Sequence, residues 1–306
     1  MKLASVWRSK KVRRDTAVAL LFILPWILGF LAFTLYPMAA SFYYSFTDKS
    51  IKSMEWVGLE NYVKLFSNDR RYFKSLSNTV YMVAIGVPAT IIFSFLVALL
   101  LNAEVKGMSA YRTIYYLPTV VPPVAGTLLW MWLLNPQRGV LNAAIESFGV
   151  RSPGWFSDPT WSKPALILMG IWGSGQSTVL YLAGLQGIPT ELYEAARLDG
   201  ANWFQRTLRI TIPLISPVTM FVLITGVIGT FQLFTQAFLI GGTGDYAVDG
   251  APRQSLLFYA LYLYRQAFVY LDFGYASAMA WILFIIILGV TILLIRGSTH
   301  WVHYEA

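Results

Sequence analysis

The chain has 306 residues, of which 57% are hydrophobic and only 12% charged, with a net charge of +8 and no cysteine. Soluble globular domains carry about 45–50% apolar and about 25% charged residues, so this composition excludes a single soluble enzyme and a disordered or fibrous chain. Disulfides, thiolate metal sites and cysteine nucleophiles are excluded with the cysteines.

Six long stretches lack Asp, Glu, Lys and Arg: 16–47, 75–103, 113–137, 164–190, 210–244 and 273–295. Each is long enough for one crossing, which takes about 20 mostly apolar residues. Helices are expected, because a segment in lipid must satisfy its own backbone groups. A β-barrel would need strict alternation over about ten residues, and the runs 91–101 and 281–294 do not alternate. The first stretch follows Lys10, Lys11, Arg13 and Arg14 and is too long for a signal-peptide core of about 7–15 residues. It reads as a retained helix behind a cytoplasmic N-tail, residues 1–15. Pro118, Pro122 and Pro123 should kink or break the third crossing. The segment 255–264 is apolar and aromatic but too short to span, so an interfacial helix or a packed outer helix is expected. Gly241, Gly242 and Gly244 mark the turn before it.

Six crossings put both termini on one side. Lys and Arg divide almost evenly between the two faces, and the bias comes from the N-tail, which flanks the first helix. The positive charge is therefore read as orientation and contact with anionic lipid, with no nucleic-acid partner. Residues 1–306 read as one transmembrane domain.

The loop between crossings four and five, residues 188–211, has its own local signals. Thr190 after Pro189 suits an N-cap, and Glu191 and Glu194 suit the first turns of a helix. Ala195 and Ala196 favour helix and leave a flat surface. Gly200 stands where a helix end wants a left-handed residue. Trp203, Phe204 and Leu208 open a second helical pattern, which Pro213 bends into the fifth crossing. A helix, a turn and a second helix at the membrane face are expected.

Glu194-Ala195-Ala196, Gly200 after three residues, and then Ile210-x-Ile212-Pro213 after nine resemble the EAA loop of permease subunits in binding-protein-dependent ATP-binding-cassette importers. Ile212 stands where the family pattern has Leu. The fuller string Glu-Ala-Ala-x-x-Asp-Gly-Ala with Phe204, Pro-Leu-Ile-Ser-Pro from Pro213 to Pro217, the stretch from Gly154 to Thr160, and Ile240-Gly241-Gly242 resemble the sugar-importing, maltose-transporter branch. The resemblance covers about 16–298. It implies an all-α polytopic membrane protein with six transmembrane helices, the type I importer permease fold. It also implies that Glu194, Ala195, Ala196, Asp199 and Gly200 belong to a coupling helix docked on a cytoplasmic ATPase. The implied partners are a second, homologous permease in a heterodimer, two ATPase subunits, an extracytoplasmic solute-binding protein and membrane lipid. The chain carries no Gly-rich phosphate loop ending in Gly-Lys-Ser/Thr. ATP and Mg are therefore expected on the partner ATPases, with no cofactor and no enzymatic activity here. The implied location is a bacterial or archaeal cytoplasmic (inner) membrane, with both termini cytoplasmic.

Polar groups inside crossings are costly unless they face a partner or a wet cavity. The fourth crossing carries Trp172-Gly-Ser-Gly-Gln-Ser-Thr178 and the fifth carries Thr230-Phe-Gln-Leu-Phe-Thr-Gln236, neither with a charge. Amides, hydroxyls and aromatic faces suit a neutral polyol. By resemblance, Trp172, Ser174, Phe231 and Gln232 are the first candidates for substrate binding, and Gln176, Phe234 and Gln236 the second. Gly173 and Gly175 equally suit close helix packing, and a single Gln can bond one helix to another. Trp26, Tyr115, Tyr116 and Trp301 read as interface anchors. His300 and His303 lack further metal ligands nearby, and no carboxylate pair suggests catalysis. The expected activity is alternating-access import of a neutral sugar or oligosaccharide. An importer of another solute, such as a glycerol phosphodiester, and a secondary transporter remain as alternatives. The second would require carboxylates within the crossings.

The cysteine-free background makes the topology directly testable. Cysteines introduced at Gly107 and Asn202 should react with an impermeant thiol reagent only from the cytoplasmic side. Reaction from outside would invert the topology.

Overall fold

The computed structural model describes residues 10–50, 54–67, 69–103, 105–241 and 252–303. Among them the regular elements are helical, with one isolated antiparallel bridge between Thr47 and Trp56. The chain divides into two compact units, 1–67 with 266–281, and 68–265 with 282–306.

In the first unit α1 (Lys10–Phe30) passes through a π-turn (Leu31–Leu35) into α2 (Tyr36–Tyr44), and α3 (Glu60–Ser67) follows. Asn61 on α3 donates to the carbonyls of Ser45 at 3.0 Å and Thr47 at 2.8 Å. That occupies acceptors left over where α2 ends. Phe22 and Phe33 are 81% and 84% exposed. Such a long bare apolar helix is a liability in water and an ordinary lipid-facing surface in a membrane.

The second unit starts with α4 (Arg70–Tyr81), a π-turn (Met82–Gly86) and α5 (Val87–Leu101). Asp69 caps α4 by accepting from the amides of Arg71 and Tyr72. Next come α6 (Met108–Val120), α7 (Pro123–Leu133), α8 (Val140–Ser147), α9 (Pro159–Trp172), α10 (Gly175–Gln186) and α11 (Thr190–Leu198). The path continues through α12 (Trp203–Arg206), a π-turn (Thr207–Thr211), α13 (Ile212–Leu214), α14 (Ser216–Phe231) and α15 (Thr235–Gly241). The last helices, α16 (Tyr259–Phe268) and α17 (Phe273–Ser298), are shared between the units.

Among the described residues four spans are long and apolar enough to cross a membrane: Arg14–Tyr44, Arg70–Leu101, Ser216–Gly241 and Phe273–Ser298. Two bent pairs, α6 with α7 and α9 with α10, bring the number to six if each pair counts as one span. The α6–α7 pair turns by 100°. Val121 and Pro122 there have ψ of 124° and 140°, because a residue before proline is pushed out of the helical region. The expected break is thus found at a Pro-Pro step. The α9–α10 pair turns by 47° at Gly173 and Ser174.

All three π-turns precede a proline at the start of the next helical piece: Pro37, Pro88 and Pro213. Proline lacks an amide hydrogen and its ring collides with the carbonyl four residues back. Residues 33, 84 and 209 hold those carbonyls, one inside each π-turn. The ladder widens there instead of breaking.

The segment 255–264 is helical only from Tyr259 onward. Leu256, Leu257, Phe258, Tyr259 and Leu261 are all at most 1% exposed. The segment is therefore packed inside protein and not laid on an interface. Its irregular start is held by side chains. Asn78 Nδ2 donates to the carbonyls of Gln254 at 2.7 Å and Leu257 at 2.9 Å. The Tyr259 amide donates to Thr79 Oγ1 at 2.9 Å, and the hydroxyls of Ser162 and Ser255 are 2.7 Å apart. Arg253 and Gln254 have φ of 47° and 62°, so the chain turns sharply into this site. Of the Gly turn expected before it, Gly242 and Gly244 lie outside the described residues.

Replacing Asn78 by Ala leaves one buried and one half-buried carbonyl without this donor, a loss of about 1–3 kcal/mol. The melting temperature of the detergent-solubilised protein should fall. An unchanged value would mean that apolar packing alone holds the segment.

Candidate functional site

Two apolar clusters in the second unit leave a cavity between their helices. One cluster contains Met82, Trp130, Leu166, Met169, Leu256 and Phe258. The other contains Ala98, Tyr181, Leu185, Ile215 and Val222. The cavity has a volume of about 600 Å³ and is lined from α5, α6, α7, α9, α10, α14 and α15. Its walls include Met82, Trp130 and Leu166 from the first cluster and Val222 from the second. No side chain in its lining is ionisable.

The candidates from the sequence separate at this cavity. Trp172, Gln176 and Gln236 line it. The Trp172 ring meets Trp130 edge to face at 5.8 Å, which fixes its plane. Ser174 is buried, and its hydroxyl lies 3.0 Å from Tyr115 Oη, away from the lining. Thr178 Oγ1 donates to the same Tyr115 oxygen at 3.3 Å. Tyr115 thus joins α6 to α10 inside the protein and is no interface anchor. Phe231 is 3% exposed and Gln232 is exposed, and neither lines the cavity. Phe234 stacks on Phe238 at 5.3 Å and meets Tyr264 at 5.0 Å.

The cavity also takes residues beyond the named candidates. Thr90, Thr119, Thr127, Ser177, Thr225 and Thr230 bring hydroxyls to it. The buried Trp130 Nε1 has no hydrogen-bond partner among the described residues. Thr230 lies in the polar string of the fifth crossing, so that string held the signal. Trp130 stands in an apolar run with nothing in the sequence to orient it.

The glycine pair of the fourth crossing has a packing role as well. A Cβ on Gly175 would collide with Thr119 of α6 and approach the Tyr115 carbonyl. Gly173 caps α9 and lines the cavity. Close approach and an opened helix end therefore occur together.

The loop after α10 folds as the expected helix, turn and helix. α11 begins at Thr190 with Pro189 in the capping position and no side-chain cap. Thr190 is thus the first helical residue rather than the N-cap, because Pro189 with ψ of 130° already leads the chain in. Gly200 has φ of 78°, the left-handed conformation that favours glycine at a helix end. Asn202 and Gln205 form a reciprocal capping box that starts α12. Glu194, Ala195, Asp199 and Gly200 are exposed, and Ala196 is half-buried. Leu198 is 90% exposed at the turn. Tyr193 Oη lies 2.9 Å from Thr211 Oγ1, tying α11 to the π-turn that leads into α14. Among the described residues no group of three or more His, Asp or Glu could hold a metal ion.

Comparisons with known proteins agree with this architecture. The family described as "Binding-protein-dependent transport system inner membrane component" matches residues 65–300. The chain is 38% identical over 302 residues to the probable ABC transporter permease protein YesP of Bacillus subtilis, covering 98% of this chain and 96% of that one. It is 31% identical over 291 residues to the lactose transport system permease protein LacF of Rhizobium radiobacter, covering 93% and 95%. A chain from a bacterial ABC transporter involved in import of the acidic polysaccharide alginate superposes with a TM-score of 0.84 at 24% identity, over 97% of this chain and 99% of that one. A bacterial alginate transporter has also been solved in complex with an alginate pentasaccharide-bound periplasmic protein.

Proposed function

Because the chain belongs to the family of binding-protein-dependent transport system inner membrane components, we propose that it is one permease of an ATP-driven importer that moves a neutral sugar or oligosaccharide by alternating access. As a translocation component it is not an enzyme. The observation that carries the substrate class is the cavity, which is roomy, aromatic on one side, hydroxyl- and amide-bearing, and without an ionisable group in its lining. A neutral polyol can exchange water for Gln176, Gln236 and the threonine hydroxyls and lay its apolar face on Trp172. An anionic solute brought into the same walls would lack a counter-charge. Ser174, Phe231, Gln232 and Phe234 lie outside the lining.

The partners are a second permease, two cytoplasmic ATPase subunits and an extracytoplasmic solute-binding protein, by analogy with the family. The chain sits in a cytoplasmic (inner) membrane with both termini inside. Glu194, Ala195, Ala196, Asp199 and Gly200 form the docking surface for an ATPase. Support comes from the exposed, small-residue face of α11 and the left-handed turn at Gly200. ATP with Mg, held by the ATPase pair, favours the outward-open state by binding it more tightly, and hydrolysis removes that preference.

Two measurements test these parts separately. Gln176→Ala and Gln236→Ala should each raise the KM for sugar uptake about fivefold, the worth of one ordinary hydrogen bond, with Trp172→Ala larger and assembly unchanged. Normal uptake in all three would remove the cavity from the pathway. Gly200→Val should keep ATP hydrolysis while uptake falls, because a β-branched residue strains the turn. Unchanged uptake would remove the coupling role.

A further inference from the structure

The walls of the substrate cavity have a hydrogen-bond polarity that their composition does not show. A threonine hydroxyl holds one proton and two lone pairs. On a helix the proton can go to a carbonyl three or four residues back, which leaves only lone pairs to offer. Thr119 of α6 donates to the Tyr116 carbonyl at 2.7 Å. Thr225 of α14 donates to the Phe221 carbonyl at 2.8 Å, with the Val222 carbonyl 3.3 Å away. Both residues line the cavity and both are exposed. Thr127 of α7 commits its proton in the same way, to Pro123 at 2.7 Å, but it is 1% exposed and out of a solute's reach. The Thr119 side chain is also held in its rotamer. Its methyl group lies against Gly175, where a Cβ would come within 2.5 Å of it. The close approach of α6 and α10 therefore keeps that hydroxyl on its own backbone.

Solute donors and solute acceptors meet these hydroxyls differently. A donor takes a lone pair and gains a hydrogen bond, with the backbone bond intact. An acceptor gains a bond only if the hydroxyl turns and gives up the one it has, so the exchange nets nothing. The difference is one ordinary hydrogen bond per threonine, about fivefold in affinity. A sugar hydroxyl can donate. A deoxyfluoro group, an ether oxygen and a carboxylate cannot.

We propose that Thr119 and Thr225 are specificity residues that read the hydroxyl protons of the solute. The inference rests on the cavity being the substrate path and deepens that reading. The preferred solute carries free hydroxyls on the faces turned to α6 and α14, and a neutral ring of the right size without them is rejected. A site built to hydrogen-bond a substrate hydroxyl discriminates against the analogue that lacks it, whereas an apolar wall separates the two poorly.

The test uses the complete transporter in proteoliposomes, with its partner permease, ATPase subunits and solute-binding protein. A library of neutral mono-, di- and trisaccharides is offered, and mass spectrometry of the vesicle contents identifies the imported sugar. That sugar and its single deoxyfluoro derivatives are then compared by kcat/KM. Thr119→Val and Thr225→Val should each lower kcat/KM for the parent sugar about fivefold. Each should leave at least one fluoro derivative unchanged, at a different ring position for each threonine. Thr119→Ser and Thr225→Ser, which keep the hydroxyl, should retain the parent value. The solute-binding protein is the same throughout, so its own selectivity cancels. Equal loss for the parent and every derivative would overturn the proposal, because a packing role affects them alike. Unchanged uptake of the parent in both valine variants would overturn it as well. The Gln176, Gln236 and Trp172 substitutions separate the two levels. If they impair uptake and the valine variants do not, the cavity stands and the role of the threonines falls. If none of the five matters, or no sugar of the library is imported, the substrate cavity falls and this proposal with it.

Discussion

A peptide group in an apolar medium must find its hydrogen bond within the protein, and this constraint decides where the helices here can stop. Each interruption within the apolar spans has an identifiable local solution. At Val121 and Pro122 two prolines remove donors that would otherwise need partners. At Gly173 and Ser174 the amides return to Met169 and Ile171. At Gln232 and Leu233 they return to Gly229 and Thr230. The irregular stretch 254–258 is largely buried, and Asn78 donates to its Gln254 and Leu257 carbonyls while its amides at Ser255, Leu257 and Phe258 bond locally. Non-helical backbone at such depth is tolerated only where protein or a wet cavity surrounds it.

The interruptions also make the cavity. A straight helix offers mainly side chains to its neighbours, whereas an opened end adds room and polar backbone. Pro118, Pro123, Gly173, Thr230 and Leu233 all lie at or beside an interruption, and all line the cavity. The proposed coupling loop connects to it through one chain of contacts. The Tyr193–Thr211 bond joins α11 to the π-turn, which continues into α14 with Thr225 and Thr230 on the cavity wall. In the proposed mechanism a push on α11 reaches the substrate walls along a continuous helical path. Reversing a 1:99 equilibrium needs about 5.5 kcal/mol of differential affinity, which ATP binding to two subunits would have to supply.

The crossings were legible because charge is sparse and the uncharged intervals are long. The break at Pro122 was legible for the same reason that proline breaks helices anywhere. The helix, turn and helix around Gly200 was legible because its signals are local. The direction of individual side chains was not. Gln232 and Gln236 are four apart and would share a face on an unbroken helix. The helix ends at Phe231, so Gln236 lines the cavity and Gln232 does not. Tyr115 has the composition of an interface anchor, but its hydroxyl meets Ser174 and Thr178, and that contact depends on α6 lying against α10. The run 255–264 has too little periodicity to separate an interfacial helix from a packed one, and only the partners from α4 and α9 decide between them.

The three widened turns before Pro37, Pro88 and Pro213 have a geometric consequence for how such a chain can change. Each residue of an α-helix advances the azimuth by about 100°, so a widened turn acts as a phase shift between two segments that otherwise keep their own register. Removing one residue from 82–86 would close that shift. It would rotate every position after it relative to Asn78 and Thr79, which hold the buried backbone of 254–259. One face of that span would then have to give up either the anchor or the lining residues Val87, Thr90 and Ile91. The widened turn lets a single helix serve two sites that demand different phases, and a substitution that spares every named contact could still fail by putting them back in step.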